Sequence, residues 1–316
     1  MNIVVFGYSR LTKICIEEFT KYGHTVFLIN PKSRSDLLEK YKFSQLKLKN
    51  KPLLYSELTH PKVLKAIGSF KPDYIFSIVF GEKIPEIITR MAKKKALNVH
   101  PSDLPAYRSA NPWFWVIRMG ENKSAITVHE TTQKFDSGNI VYKHHFDLNQ
   151  YYTQGIYSLK VEQLGKKLIG DIHNLMENDG FCETIPGEAR YFPSLKRRDI
   201  LIDWNQKACE IDALVRACNP NYYAQTFYKS FFLTIPEIDI TKTPTTEQPG
   251  TIHIINNNLC VCASDLLVRL NVIHMNDIGT FSAGRFLKLF PVIPGDRFQS
   301  IEELSKYKGF FDEKLF

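Results

Sequence analysis

The sequence predicts an α/β protein of two domains, in which a doubly wound, mostly parallel sheet is followed by a small β-barrel. The chain opens with a strand, a helix and a second strand, an order that is typical of a parallel sheet. Its last third changes to short strands of alternating hydrophobicity, separated by turn residues. With 316 residues, the chain is long enough to bury a core in each domain.

The composition is that of an ordinary globular protein, with 44% hydrophobic and 23% charged residues. No apolar run is long enough to cross a membrane, and residues 1–7 have a strand pattern rather than that of a signal peptide. The six cysteines are scattered. Cys260 and Cys262 lie in an alternating apolar run without a second pair at zinc spacing, so we expect core thiols. We therefore expect a cytoplasmic protein.

The formal net charge of +8 favours an anionic partner such as RNA, a nucleotide or a polyglutamated cofactor. Basic residues cluster at 40–51, 93–95 and 196–198. Most such clusters are solvated faces of a protein, so charge alone leaves the partner undecided.

The first three elements are well marked. Residues 2–6 predict a buried strand, residues 11–22 have the spacing of a helix, and residues 25–29 predict a second strand. A single glycine, Gly7, follows the first strand where a dinucleotide-binding fingerprint needs three, which argues against a nicotinamide cofactor. The polar and basic segment 30–54 predicts a long connection with little regular structure.

The remaining pattern divides the chain into a first domain at 1–180, a linker at 181–200 and a second domain at 201–316. The predicted helices are 61–70, 85–91, 112–119, 155–178 and 208–217. The predicted strands are 73–79, 96–99, 124–131 and 140–146 in the first domain, and 224–235, 250–255, 259–264 and 266–273 in the second.

Three polar residues are candidates for chemistry. Asn98 and His100 are two apart at the end of a strand, so their side chains should project from the same face. Asp136 begins a turn that could bring its carboxylate to the same place. An amide, an imidazole and a carboxylate suit proton transfer beside an oxygen that gains negative charge. A capping Asn, a half-buried His and a turn Asp would also fit this spacing. The loop at Gly81 follows a strand and is a candidate ligand loop, or else a plain turn.

The motif around these residues resembles the folate-dependent formyltransferases. Residues 98–108 read Asn-x-His-Pro-Ser-x-Leu-Pro-x-Tyr-Arg. Residues 120–128 read Gly-Glu-x-x-x-x-Ile-Thr-Val, and residues 136–140 read Asp-Ser-Gly-Asn-Ile. Residues 80–85 are similar to the family's folate loop, and 202–298 to its C-terminal module. The resemblance covers nearly the whole chain. It implies a Rossmann-like catalytic domain followed by an OB-like barrel.

The resemblance implies transfer of a formyl group from N10-formyltetrahydrofolate to a primary amine, without a metal. His100 would shuttle a proton, Asn98 would donate a hydrogen bond to the oxyanion of the tetrahedral intermediate, and Asp136 would orient His100 and raise its pKa. The folate would lie on three segments, namely Gly81, Glu82, Lys83 and Ile84; Ser102, Asp103, Leu104 and Pro105; and Thr132, Gln133, Lys134 and Phe135, next to Asp136.

Some residues depart from the family pattern or have two interpretations. Asp103 and Ser109 stand where the family often has Leu and Gly, and we interpret Asp103 as facing solvent rather than contacting the pocket. Arg108 could hold an anionic substrate or the folate tail, or form a salt bridge that fixes its loop. Trp113 could stack on a nucleotide base of the substrate, although an aromatic residue of this kind is more often part of a core.

The acceptor amine is the open question. Relatives that formylate methionyl-tRNA usually begin with Gly-Thr-Pro after the first strand and have a glycine-rich loop after the second. This chain has Gly7-Tyr-Ser and a loop at 30–35 without glycine. Residues 59–62 and 111–116 look more like the enzymes that formylate nucleotide-linked amino sugars. We therefore favour a small-molecule amine, with methionyl-tRNA as the alternative.

Two other classes are weaker. A non-catalytic nucleic-acid-binding protein would leave Asn98, His100 and Asp136 unexplained. Hydrolases that release formate from the same folate usually carry an N-terminal regulatory module, whereas this chain starts at the first strand of the sheet. The oligomeric state is left open, with a homodimer among the options.

Overall fold

The computed structural model describes residues 1–185, 187–304 and 315. The chain forms two compact units, and neither is continuous in sequence. The first unit holds residues 1–112, 123–147 and 158–192, and the second holds 113–122, 148–157 and the chain from 193 on.

A seven-stranded sheet forms the centre of the first unit, counted over the described residues. Its strands are β1 (Asn2–Phe6), β2 (Thr25–Pro31), β3 (Leu53–Tyr55), β4 (Tyr74–Ile78), β5 (Lys95–His100), β6 (Lys123–Glu130) and β7 (Ile140–Asp147). The order across the sheet is β3-β2-β1-β4-β5-β6-β7. The strands β1 to β5 are parallel to one another, whereas β6 pairs antiparallel with β5, and β7 pairs antiparallel with β6. The predicted doubly wound, mostly parallel sheet is confirmed.

The first five helices lie in the connections between these strands, and the sixth follows β7. They are α1 (Arg10–Lys21), α2 (Ser35–Lys40), α3 (Pro61–Phe70), α4 (Glu86–Thr89), α5 (Pro112–Arg118) and α6 (Gln154–Glu177). In the ranges that the structure describes, no helix combines the length and the apolar character needed to span a membrane.

The turn between β1 and α1 shows why the first helix begins where it does. The Ser9 hydroxyl accepts a hydrogen bond from the Thr12 amide at 3.1 Å, which caps the first turn of the helix. Gly7 has φ of +153°, and a Cβ atom there would lie 2.6 Å from the carbonyl oxygen of Ile78. Only glycine therefore allows the end of β1 to approach the end of β4 so closely.

The segment 30–54 has more regular structure than we predicted. It contains α2 and the edge strand β3, which pairs in parallel with the end of β2 from Ile29 to Pro31. The prediction failed because a three-residue edge strand leaves almost no periodic pattern, and because its pairing partner lies far away in sequence. The polar composition of the surrounding residues concealed both elements.

The second unit contains an antiparallel sheet and short helices, so the predicted β-rich second half is confirmed. Its described elements are α7 (Ala208–Cys218), β8 (Ala224–Tyr228), β9 (Phe231–Pro244), β10 (Ile252–Ile255), β11 (Asn258–Cys262), β12 (Leu266–Met275), β13 (Gly279–Ser282), α8 (Ala283–Leu289) and α9 (Ile301–Leu304). The strand order is β10-β11-β12-β9-β8, and β13 pairs with β12.

The predicted single strand at 224–235 is wrong, since the structure has a hairpin of β8 and β9 there. The chain turns at Lys229, which has a φ of +53°. The two turn residues are Lys and Ser, so the Asn-Gly type of signal that marks a tight hairpin in a sequence is missing. The strand β13 and the helix α8 were not predicted either.

Candidate active site

Four polar side chains meet beside the carboxyl end of β5. Asn98 and His100 lie two residues apart on this strand, as the sequence predicted. His129 of β6 is directly opposite Asn98 in the antiparallel register. Asp136 comes from the loop after β6, and one of its oxygens lies 3.5 Å from Nδ1 of His100 and 3.6 Å from Nε2 of His129. The structure therefore brings the three predicted residues together and adds a fourth.

A tight turn delivers the carboxylate of Asp136 to this place. Asp136 itself has a φ of +50°, in the left-handed region that Asp tolerates better than most residues. A Cβ atom on Gly138 would lie 1.9 Å from the carbonyl oxygen of Glu130. The chain after Asp136 thus passes so close to the end of β6 that only glycine fits there.

The amide of Asn98 is held in one orientation by three neighbours. The Ser77 hydroxyl donates to Oδ1 of Asn98 at 3.0 Å, so Nδ2 points the other way. Nδ2 lies 3.1 Å from Nε2 of His129 and 3.4 Å from the carboxylate of Asp136. Nδ1 of His129 lies 2.8 Å from the carbonyl oxygen of Glu130 and must carry the proton, because a carbonyl only accepts. Nε2 of His129 is therefore free to accept from Asn98.

His100 is buried, with 6% of the residue exposed, and both of its ring nitrogens have a neighbour. Nε2 lies 3.1 Å from the carbonyl oxygen of Tyr107, so it carries a proton and donates. In the neutral ring, Nδ1 then has a lone pair, and this atom faces Asp136. His100 can therefore accept a proton at Nδ1, and Asp136 would then hold it in an ion pair.

The charges of this pair follow from burial and proximity. Burial lowers the pKa of His100; the charge of Asp136 raises it, and His129 lowers it again, so the pKa stays below its ordinary value. Asp136 therefore raises the pKa of His100, as expected, but burial has the larger effect and the net shift is downward. Burial also works to raise the pKa of Asp136, but His100 and His129 overcome this and lower it. Near neutral pH the site holds a neutral imidazole and a carboxylate.

The predicted ligand loop after β4 is exposed at Gly81, Glu82 and Lys83, whereas Ile84 is buried in the core. The Tyr55 hydroxyl donates to the Glu82 carboxylate at 2.7 Å and ties the loop to β3. Val79, just before the loop, has a φ of +47°, which is strained for a β-branched residue. Strain of this kind is common where a backbone is shaped for a ligand.

The predicted folate segment at 102–105 points mostly inward. Ser102 and Leu104 are buried, and the Leu104–Pro105 peptide bond is cis. Asp103 is partly exposed, but its carboxylate is 2.7 Å from Nζ of Lys143 and 3.4 Å from Nε2 of His145. Asp103 thus keeps 38% of its side chain exposed, in line with the solvent-facing interpretation, and it also pairs with two basic side chains of β7. Lys143 and His145 are two apart on β7, so both side chains lie on the face that meets Asp103.

The third predicted folate segment is an exposed turn that leads into Asp136. Thr132, Gln133, Lys134 and Phe135 are all exposed, and 54% of Phe135 is accessible. The Ser137 hydroxyl donates to the carbonyl oxygen of Lys134 at 2.8 Å, and the two hydroxyls of Ser137 and Thr132 lie 2.8 Å apart. Hydrogen bonds within the segment therefore hold the turn, and the turn exposes the apolar ring of Phe135 to solvent.

The Arg108 side chain has no ion pair in the described part of the chain, so the predicted salt bridge is not found there. Its backbone is fixed by two hydrogen bonds, from its amide to Arg190 at 3.2 Å and from the Phe192 amide to its carbonyl oxygen at 2.9 Å. Nε of its guanidinium group is buried and has no partner among the described residues. The charge of Arg108 also helps to lower the pKa of Asp136, which indicates that it is near the site.

Trp113 lies in α5 and belongs to the second unit. Its ring stacks on Tyr157, with centroids 6.3 Å apart and planes inclined by 25°. Its neighbour Phe114 is fully buried. These contacts are those of a packing residue, so a role of Trp113 in stacking on a nucleotide base stays a prediction.

Sequence reasoning missed Ser77 and His129. A signal for His129 was present, because Thr127 and His129 alternate with Ile126 and Val128 along one strand, which places the two polar residues on a common face. Only the register between β5 and β6 turns that face toward Asn98. Ser77 gave no such signal, since it lies in an otherwise apolar buried strand.

Comparison with known proteins identifies the family of the chain. The family model for formyl transferase matches residues 1–172, and the model for the formyl transferase C-terminal domain matches residues 194–291. A methionyl-tRNA formyltransferase of Alkaliphilus oremlandii is 28% identical over 274 residues, which are 84% of this chain and 88% of that protein. The chain therefore belongs to the folate-dependent formyltransferase family, whose members use formyltetrahydrofolate as co-substrate.

Two solved structures share the fold at low identity. WlaRD, a sugar 3N-formyl transferase crystallised with dTDP and 5-N-formyl-THF, matches with a TM-score of 0.66 and 16% identity over 85% of this chain and 97% of that one. HypX of Aquifex aeolicus in complex with tetrahydrofolic acid matches with a TM-score of 0.62 and 18% identity over 94% of this chain. This chain spans about half of HypX, since 50% of that chain is covered.

Proposed function

We propose that this chain transfers the formyl group of N10-formyltetrahydrofolate to a primary amine on a nucleotide-linked amino sugar. The observation that supports this chemistry is the convergence of Asn98, His100 and Asp136 on one side of β5. The bound folate supplies an amide-like formyl carbonyl. The exposed loop at 81–83 and the exposed turn at 132–135 are the segments that we propose hold it.

Asn98 fits the task of an oxyanion donor. One hydrogen of its Nδ2 is used in the 3.1 Å bond to His129, but the other makes only a long contact of 3.4 Å with Asp136. A contact of this length is weak, so this hydrogen can turn to a formyl oxygen at little cost. Ser77 keeps the amide from flipping while it does so.

His100 and Asp136 fit the task of moving the proton of the amine. The amine must lose a proton as it attacks, and Nδ1 of neutral His100 has a lone pair to take it. The imidazolium that forms would then be paired with the carboxylate 3.5 Å away. It would return the proton to N10 as the bond between the formyl carbon and N10 breaks and tetrahydrofolate leaves. Because His100 is buried, this charge is stabilised by Asp136 rather than by water.

Arg108 supports an anionic acceptor. Its Nε is buried without a partner among the described residues, and an unsatisfied buried donor is costly unless a ligand satisfies it. A phosphate of a nucleotide-linked sugar would supply oxygens that a guanidinium group can bind in pairs.

Methionyl-tRNA is the second candidate acceptor. The curated relative described above carries that name, and the segment after β2 exposes several basic side chains that suit a polyanion. They are Lys32, Arg34, Lys40, Lys42, Lys47, Lys49 and Lys51.

The acceptor can be tested directly. The protein would be incubated with N10-formyltetrahydrofolate and, separately, with a panel of dTDP- and UDP-linked amino sugars and with methionyl-tRNA, and release of tetrahydrofolate would be measured. We expect release with one of the amino sugars. Release with the tRNA alone would overturn the sugar acceptor but leave formyl transfer intact, whereas release without any amine would indicate a hydrolase.

A further inference from the structure

A second cluster of chemically active side chains lies in the other unit, away from the folate chemistry in sequence. Glu247 precedes β10, His253 lies on β10 and Cys262 ends β11. One carboxylate oxygen, one ring nitrogen and the sulfur of these residues all lie within 4.8 Å of one another. We propose that these three residues bind a divalent transition-metal ion of the zinc class, which joins the turn before β10 to the β10–β11 pair.

The ring of His253 provides the first argument. Its Nε2 is buried and makes no hydrogen bond to any residue in the described ranges. The carboxylate of Glu247 is 3.3 Å away, but the two atoms are not aligned for a hydrogen bond. A buried ring nitrogen without a partner is destabilising, and an ion between the nitrogen and the carboxylate would satisfy both.

The thiol of Cys262 provides the second argument. Cys262 is fully buried, and the Thr245 hydroxyl donates to its sulfur at 3.3 Å. Its sulfur lies within 4.8 Å of both a carboxylate oxygen of Glu247 and a ring nitrogen of His253, so one ion can contact all three atoms. A coordinated dication stabilises the thiolate form of a buried cysteine and offsets the charge of the neighbouring carboxylate.

The donor set selects the kind of ion. Sulfur, imidazole nitrogen and carboxylate oxygen together are the ligands of Zn²⁺ and its analogue Co²⁺, whereas Mg²⁺ and Ca²⁺ prefer oxygen alone. Three protein ligands leave a fourth position of a tetrahedral ion for water. On binding, the thiol of Cys262 loses its proton to the solvent and the sulfur bonds to the metal.

A similar group in the first unit is a weaker candidate. His24, His173 and Glu177 also lie within ligand distance of one another. There, however, Nε2 of His24 lies 3.1 Å from Nδ1 of His173, so the two rings can satisfy each other through one hydrogen bond. This group therefore serves best as an internal control.

The proposed site could not be predicted from the sequence, because zinc motifs are recognised by the spacing of paired ligands. Cys260 and Cys262 have no second pair, and we interpreted them as core thiols. In the hairpin of β10 and β11, His253 pairs with Cys260, and Cys262 lies two residues further along on the same face of the strand. The segment before β10 adds the carboxylate. The ligands thus come from three short segments without a recognisable motif.

Titration of the full chain with Co²⁺ tests the proposal, after treatment with a chelator that is then removed. A thiolate bound to Co²⁺ gives a charge-transfer band in the near ultraviolet, which imidazole and carboxylate ligands do not give. We expect this band to saturate at one Co²⁺ per chain and to disappear on addition of Zn²⁺. Cys262→Ser should abolish the band, and the matched variant Cys260→Ser should keep it.

Three further variants keep the test informative if Cys262→Ser does not fold. Glu247→Gln and His253→Asn change more exposed positions and should weaken Co²⁺ binding at least tenfold, with an unchanged far-ultraviolet circular dichroism spectrum. His173→Ala, in the other group, should leave the band and the affinity unchanged. Absence of the band in the wild-type chain, its persistence in Cys262→Ser, or wild-type affinity in both Glu247→Gln and His253→Asn would each overturn the proposal.

Discussion

At the scale of single residues, His100 is buried, and each of its two ring nitrogens faces a specific partner. Its Nε2 donates to the carbonyl oxygen of Tyr107, and its Nδ1 faces Asp136. In a solvent-exposed histidine the proton can sit on either ring nitrogen, whereas here the bond to Tyr107 fixes it on Nε2 and leaves Nδ1 as the base. The protonation state of that nitrogen should therefore control the rate.

The pH dependence of the reaction follows from this. His100 must be neutral to take a proton, so activity is lost as the pH falls through its pKa. Burial lowers that pKa below its ordinary value of 6.5, so we expect the acidic limb of kcat/KM below pH 6.5. In Asp136→Asn the carboxylate no longer raises the pKa of His100, so the acidic limb of kcat/KM should move to still lower pH. A limb above 6.5 in the wild-type enzyme would contradict this account of His100.

Removal of either proposed catalytic side chain, that of Asn98 or that of His100, should lower activity strongly. Asn98→Ala deletes the donor to the formyl oxygen, and His100→Ala deletes the base. We expect each to lower kcat/KM by about 10²–10³, or roughly 3–4 kcal/mol of transition-state stabilisation. The variants should unfold at nearly the wild-type temperature, and His145→Ala, an exposed histidine, should keep full activity. Near-wild-type turnover of either site variant would remove the mechanism.

We propose His129 as a positioning residue, since its ring contacts Asn98, the proposed oxyanion donor. His129→Phe removes the acceptor of the 3.1 Å bond and frees the Asn98 amide to rotate. We expect kcat to fall by about 10²-fold with little change in KM, as for a misplaced catalytic group. His129→Gln offers an amide oxygen as acceptor and should recover part of kcat. If the two variants behave alike, His129 serves packing alone.

At the scale of elements, the strongly periodic segments were predictable from the sequence. The strands β1 and β4 are short, β-branched and buried, and α1 and α3 have clear apolar faces and capped starts. The elements that were not predicted are β3, α2, and the hairpin of β8 and β9. These depend on partners distant in sequence or on a turn without a glycine, and neither leaves a local pattern.

The turn after β6 offers an element-scale test. Gly138→Ala would place a Cβ atom 1.9 Å from a backbone oxygen, so either the turn or the end of β6 must move. We expect a loss of about 1–3 kcal/mol in the free energy of unfolding, together with lower activity, because Asp136 shifts with the turn. Urea denaturation and kcat/KM would measure the two effects.

Gly68→Ala provides the matched control for this prediction. Gly68 lies in α3, and a Cβ atom there would meet nothing within 4 Å. Alanine is the better helix former by roughly 0.5–1 kcal/mol, so this variant should be slightly stabilised and fully active. Equal losses in both variants would show that the close approach at Gly138 has no special cost.

At the scale of the whole molecule, the two units combine segments that chain order separates. Residues 113–122 and 148–157 belong to the second unit although first-unit segments flank them. Sequence patterns predict elements one after another, so they could not reveal this exchange. The candidate site was more predictable than the arrangement of the units, because Asn98, His100 and Asp136 belong to one compact motif.

The net charge of +8 allows a whole-molecule test of the acceptor. A tRNA would contact several basic side chains at once, and each phosphate contact releases counterions, so its KM should rise steeply with salt. A nucleotide-linked sugar carries few charges, and its KM should change far less between about 50 and 200 mM salt. We expect the shallow dependence. A steep dependence measured with tRNA, together with faster turnover, would favour methionyl-tRNA.

Because β5 and β6 pair in antiparallel register, the site depends on the number of residues in each of these strands. Asn98 meets His129 only in the present register, and alternate residues of a strand point to opposite faces. Loss or gain of one residue inside β6 would put an apolar side chain opposite Asn98 and turn the imidazole away. Natural insertions and deletions should therefore avoid both strands, and also the start of the connection between them, where the Tyr107 carbonyl oxygen fixes the His100 ring.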